Sequence, residues 1–167
     1  MKQLLLLLAL AATTGVGASA QLKRAPYKLS VAVDKGTVYE EDIKETPYVL
    51  PNNTVQLYPG ETVFIEVELA DNSITGMTAV KENEHPEKTL VISFTQVASD
   101  KKHESMMLKV VNPFKQQLSY GAMIFLMKQK KWVKTDVYPV EAGLAGFETW
   151  PDIITSIGLG QWKFKAK

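Results

Sequence analysis

Apolar and polar positions alternate along most of the chain. In ETVFIEVEL, Val63, Ile65, Val67 and Leu69 share one parity while Glu66 and Glu68 take the other. A period of two sends the first set to a core and the acids to solvent, as in a half-buried strand. Just upstream, Pro59-Gly60 interrupts TVQLYPGETVFIEVEL (54–69). Proline presets φ at a turn's first central position and glycine accepts the positive φ of the next, so the segment predicts strand, type II turn, strand. KLSVAV (28–33) alternates in the same way before a turn at Asp34-Lys35-Gly36.

The later segments follow suit. TLVISFTQV and SMMLKVVN are rich in the residues that fit a pleated surface, and ITSIGLGQWKFK supplies a last strand, with Ile153, Ile154 and Ile157 spaced to allow one helical turn at its start. YGAMIFLM (120–127), nearly all apolar, predicts a strand buried on both faces. KQKK turns the chain and WVKTDVYPV returns it as a hairpin. ITGMTAV predicts a weaker strand, and KENEHPEK a polar loop. TVYEEDIKETPYVLPNN, with acids and two prolines, predicts irregular or edge-strand structure, and QLKRAPY a polar arm. Short strands, frequent turns and no amphipathic helix define an all-β chain, an antiparallel β-sandwich in one domain over 21–167.

The first twenty residues stand apart from this pattern. Lys2 precedes an apolar run from Leu4 to Ala12, and Ala18-Ser19-Ala20 fits the small residues that signal peptidase accepts, so 1–20 is expected to be a signal peptide. Removing it leaves 147 of the 167 residues, enough to bury a core without disulfides or metal. There is no cysteine, hence neither a disulfide framework nor a lipid-modified cysteine after the signal. A short leucine-rich signal on a cysteine-free chain points to a bacterial protein, periplasmic or secreted. Lys2 leaves with the signal, so eighteen basic residues balance eighteen acidic ones. No net field steers such a protein to nucleic acid or an anionic membrane, and no membrane insertion is expected after cleavage.

Three stretches carry a likeness to known proteins: LYPGETVFIEVEL, MMLKVVNPFKQQLSYGAMIFL and PVEAGLAGFETWP. They resemble immunoglobulin-like modules of small exported bacterial proteins, a family of uncharacterised function. The cysteine pair and strand-borne tryptophan of antibody-type domains are lacking, so the resemblance implies an immunoglobulin-like architecture and transfers no site residue.

Catalytic chemistry finds little support. The two histidines, His85 and His103, sit in the charged turns EHPEK and DKKHES, where an imidazole is expected to be solvated and untethered, and no Gly-x-Ser-x-Gly elbow occurs. Glu82, Glu84, His85 and Glu87 have ligand chemistry without a known metal-loop spacing. The acids Glu40, Glu41 and Asp42, or Glu66 and Glu68, read as surface carboxylates rather than a glycosidase pair. Gly143-Leu144-Ala145-Gly146 and Gly158-Leu159-Gly160 lack the Gly-Lys-Ser/Thr ending of a phosphate loop. The expectation is therefore a non-enzyme with no catalytic residue, metal or cofactor.

Binding surfaces remain. Lys128, Lys130, Lys131 and Lys134 surround Trp132 at a hairpin tip, an arrangement able to stack on a planar group while ammonium groups meet anions; the alternative is a solvated turn with Trp132 folded back as a cap. VYPVEAGLAGFETWPDI (137–153) reads as a strap across the sandwich end, with Leu144 and Phe147 as apolar anchors, or with Phe147 and Trp150 lining a shallow pocket. The function expected is an exported envelope interaction module whose partner is an envelope or extracellular protein, met through a sheet edge or loops. The alternative is a carbohydrate-binding module, which requires two of Trp132, Trp150 and Trp162 exposed and coplanar.

Overall fold

Period-two patterning becomes strand throughout the computed structural model, which describes residues 21–71 and 73–165; the expected signal peptide lies outside them. In chain order the strands are β1 (Lys23–Arg24), β2 (Tyr27–Asp34), β3 (Thr37–Ile43), β4 (Thr46–Pro47), β5 (Val49–Leu50), β6 (Thr54–Leu57) and β7 (Glu61–Ala70). There follow β8 (Ser73–Val80), β9 (Thr89–Ser99), β10 (Lys102–Val111), β11 (Leu118–Leu126), β12 (Lys131–Thr135), β13 (Ala145–Trp150) and β14 (Ile154–Phe164). Two five-stranded antiparallel sheets, ordered β13-β10-β9-β7-β8 and β12-β11-β14-β6-β5, pack into an all-β sandwich. Val63, Ile65 and Val67 face inward as their parity predicts, against Ile92, Phe94, Leu108, Ile157 and Leu159. The turn at Pro59-Gly60 forms, with Gly60 at φ +93° and the Glu61 amide donating to the Tyr58 carbonyl at 3.1 Å.

Several expectations are corrected. Leu69 keeps the core parity but is exposed rather than buried, because it lies beyond Glu66, where the pairing of β7 with β9 ends. Strand β11 is buried on one face only: Tyr120, Ala122 and Ile124 point inward while Met123, 41 % exposed, points out. The last strand begins at Ile154 with no helical turn; Pro51–Asn53 and Pro86–Lys88 are the helical turns among the described residues, both 3₁₀. The strap contains the edge strand β13, which pairs with β10. Its alternation turns Phe147 outward, Leu144 is also exposed, and the anchor is Val140, buried and bridged to Leu118.

The polar arm is docked. Arg24 is 2 % exposed and its guanidinium bonds both oxygens of Glu61 at 2.8 and 3.2 Å, Thr46 Oγ1 at 2.5 Å and the Gln56 carbonyl at 2.7 Å. The rings of Tyr48 and Tyr58 lie 4.5 and 4.9 Å from it. Burial, and then the nearby Glu61 charge, push the Tyr27 phenol above its ordinary range, keeping it protonated as a donor to Glu61 at 3.4 Å.

Hairpin β2–β3 has its own small apolar cluster of Leu29, Val31 and Ile43. The amide of Gln96 ties it to the sandwich by acting as a substitute peptide group. It accepts from the Ala32 amide at 2.8 Å and donates to the Ala32 carbonyl at 2.7 Å. Gln96 Nε2 also lies 2.9 Å from His103 Nδ1, and His103 Nε2 lies 2.9 Å from the Pro151 carbonyl. His103 is thus a tethered bridge, correcting the expectation of a free histidine.

His85 is tethered as well. Its Nδ1 lies 2.7 Å from Glu66 Oε1, and Lys88 Nζ reaches Glu66 Oε2 at 2.8 Å, which pins the loop before β9 to the outer face of β7. Hydrogen bonds from Lys88 and then His85 hold the Glu66 carboxyl below its usual range. A depressed carboxyl stabilises the fold above its unfolded pKa, and that contribution disappears as pH falls through the folded value. Glu66→Gln is therefore expected to lower the thermal midpoint at neutral pH, with the gap to the parent closing below about pH 4. Melting curves from pH 7 down to 3 check this; a gap that persists in acid would assign the effect to packing instead.

Candidate functional site

The outer face of the β12-β11-β14-β6-β5 sheet carries a trough, and its origin is a lack of side chains at the sheet's centre. Strand β14 turns Ile157 and Leu159 into the core and therefore Ser156, Gly158 and Gly160 outward. Gly158 is flanked by Met123 of β11 and Gln56 of β6, and Gly160 by Gly121. A glycine weakens a strand interior, and its presence there marks a place where something else approaches the backbone. Nothing in the strand geometry demands these two, since only Gly36, Gly60 and Gly143 among the described glycines have positive φ.

Walls rise on either side of this floor. Trp132 and Lys134 stand on β12, and Leu50, Asn52, Thr54 and Gln56 close the opposite side, leaving about 540 Å³ between them. That volume falls in the range of ligand sites. A Cβ placed on Gly158 would lie 3.9 Å from Thr54 Cγ2 and 4.0 Å from Trp132 Cζ3, so the two walls converge over that residue. The indole of Trp132 is fixed by an edge-to-face contact with Phe125, its cross-strand partner, at 5.5 Å between centroids. Gln56 is fixed by a bond from its Nε2 to Ser156 Oγ at 3.0 Å.

One end of the trough is set by a bulge. Gln161 has φ 55°, and the register with β11 slips there so that an extra residue faces Tyr120. The slip keeps the Gln161 side chain on the outer face, its Oε1 2.8 Å from where a Gly121 Cβ would be. It also turns Trp162 into the core, stacked on Tyr120 at 5.1 Å. The Trp162 indole N–H then donates to the Asn53 carbonyl at 2.9 Å, holding the turn in which Asn52 and Asn53 have φ 61° and 54°. The other described non-glycine residues with positive φ, Asp71, Asp100, Lys101 and Lys130, lie in hairpin turns that require it. Asn52 and Asn53 lie in the three-residue turn that joins the antiparallel strands β5 and β6, and Gln161 takes its positive φ from the bulge.

The expected site residues are thus divided. Trp132 and Lys134 line the trough, and Trp132 is 43 % exposed rather than folded back as a cap. Lys130 and Lys131 occupy the adjacent turn and strand start, exposed but outside the lining. Phe147 and Trp150 belong to the other sheet. Phe147 lies on its outer face with the Lys109 ammonium 5.7 Å from the ring centroid, and Trp150 is half-buried with its indole N–H on Thr135 Oγ1 at 3.0 Å. Trp162 is buried, so among the described residues no two of the three indoles form an exposed coplanar pair. Sequence reasoning passed over Gly121, Met123 and Gln161, and weighed Gly158 and Gly160 only as a phosphate loop. The available signal was Gly-x-Gly at period two inside a strand.

The trough's charge is one-sided. Among its lining residues Lys134 is the sole charged side chain, and Lys163, paired with Ser119, follows on the same outer face. Among the described residues neither lysine is within ion-pair distance of a carboxylate. Nor do three or more His, Asp or Glu side chains gather as metal ligands among the described residues, and neither imidazole bonds a hydroxyl. Comparison with protein-family models, curated proteins and solved structures gives no match to this chain.

Proposed function

We propose that the protein is an exported, non-catalytic interaction module of the bacterial envelope, periplasmic or secreted, that holds a protein partner in the trough beside Trp132. The observation that supports this reading is the floor. Three glycines leave the backbone of central strands bare between an immobilised indole and the opposing wall, and a single well-packed aromatic beside a pocket is the usual anchor of a protein interface. Thr54 and Lys134 are the lining groups with nucleophilic or proton-transfer chemistry, and among the described residues neither side chain is hydrogen-bonded to an imidazole or a carboxylate. A glycan is the second reading, no longer on a platform of two indoles but on the amides of Asn52, Gln56 and Gln161 around one exposed indole, a set that suits hydroxyl groups.

The test is photocrosslinking in cells that export the protein. A photoreactive residue replaces Met123 on the trough, or Val97 on the outer face of the opposite sheet as a control. The expected result is a discrete protein adduct from position 123 that is absent from position 97 and lost when Trp132→Ala is added. Equal labelling from both positions counts against the trough as the interface.

A further inference from the structure

We infer that the trough takes an extended, acidic polypeptide segment carrying one bulky apolar residue, a deeper statement that rests on the protein-partner reading above. Three observations meet here. The first is length. The lining runs from Lys134 on β12 to Leu50 on β5, across all five strands of the sheet. Four inter-strand spacings make about 19 Å. An extended chain covers that with about six residues.

The second observation is the floor's shape. Met123 and Trp132 on one side and Leu50 at the far end are apolar, and the convergence of Trp132 and Thr54 over Gly158 leaves a narrow slot in the middle. A side chain entering there meets backbone and an indole edge, which suits an apolar anchor rather than a flat ring lying across the sheet. The amides of Asn52 and Gln161, without a hydrogen-bond partner among the described residues, are placed to bond the main chain of a segment running past them, as the Gln96 amide already does for Ala32.

The third is charge. Lys134 and Lys163 have no carboxylate partner among the described residues, and Lys130 and Lys131 stand exposed beside the Trp132 end. The outward positions of β6, β11, β12 and β14 carry no acid. A chain whose formal net charge is only +1 thus presents a one-sign surface at this trough, and complementarity calls for Asp or Glu flanking the anchor.

Panning a library of random eight-residue displayed segments on the purified protein tests this, with Gly158→Leu, which fills the slot, as the subtractive control. Circular dichroism and a melting curve establish that the control is folded; Trp132→Ala serves in its place if it is not. The expected winners carry an excess of Asp and Glu around one Leu, Phe or Trp. As labelled peptides they should lose tenfold or more in affinity to Lys134→Glu, and weaken as salt is raised. Winners without acidic bias overturn the acidic class but leave the protein-binding trough standing. No enrichment over the Gly158→Leu control overturns both. Oligogalacturonate, an anionic glycan, is titrated in parallel; binding of it that Gly158→Leu abolishes, with no peptide enriched, would reassign the trough to a saccharide.

Discussion

Arg24→Ala is expected to cost about 3–5 kcal/mol, a loss comparable with the whole stability of a weaker domain of this size. The reason is asymmetric. The guanidinium is nearly inaccessible, and its four polar contacts include both oxygens of Glu61, whose side chain is itself about nine-tenths buried. Removing the cation leaves a buried carboxylate facing the phenol of Tyr27 and the amide of Tyr58, which donates to Glu61 at 2.8 Å. Those two donors only partly replace what is lost. Replacing both charges together, as Arg24→Met with Glu61→Leu, is expected to be much less damaging than either single change, because no lone charge is then stranded. Urea unfolding of the two single variants and the double variant checks this. Near-additive losses would mean that packing between Tyr48 and Tyr58, rather than the ion pair, carries the anchor.

The second large effect separates stability from binding at one residue. Gly158→Ala places a methyl group at ordinary contact distance from Thr54 and Trp132, with no close approach and no positive φ to oppose it. Removing a glycine from a strand interior is worth roughly 0.5 kcal/mol or more, so the variant should be at least as stable as the parent. Affinity for the partner should fall nonetheless, and Gly158→Leu should abolish it. A glycine kept at a stability cost in the middle of a central strand would then be explained by occupancy of the trough. If affinity survives Gly158→Leu, the partner binds elsewhere.

Much of the fold was legible because its signals are local. The parity of Val63, Ile65 and Val67, the Pro59-Gly60 corner and the turn at Gly36 each depend on neighbours in sequence. Failures came where the deciding contact lies far along the chain. Arg24 reads as part of a polar arm because its partner Glu61 is 37 positions away. His103 reads as solvated because Pro151, 48 positions on, supplies its acceptor. Strand β11 reads as doubly buried because apolar content does not reveal that its outward residues border an open trough. Of the site, Trp132 and Lys134 were visible as an aromatic among lysines. Phe147 and Trp150, aromatics in an acidic stretch, also read as candidate pocket residues but stand on the other sheet, a separation that only the strand order reveals. The bulge at Gln161 had no sequence signature, since a glutamine with positive φ looks like any other glutamine.

The division of the trough into a bare floor and two walls has an evolutionary consequence. Its floor is main chain from the centre of the sheet, over buried Ile157 and Leu159. Much of its walls stands at the sheet's margins, on β12 along one side and on β5 with the Pro51–Asn53 turn along the other. Mutation can therefore exchange Lys134 or Leu50 for other side chains without disturbing the packed interior. A lineage could change what it recognises quickly while its folding stability drifts little, and the variable positions would form two separated strips around an unchanging glycine track.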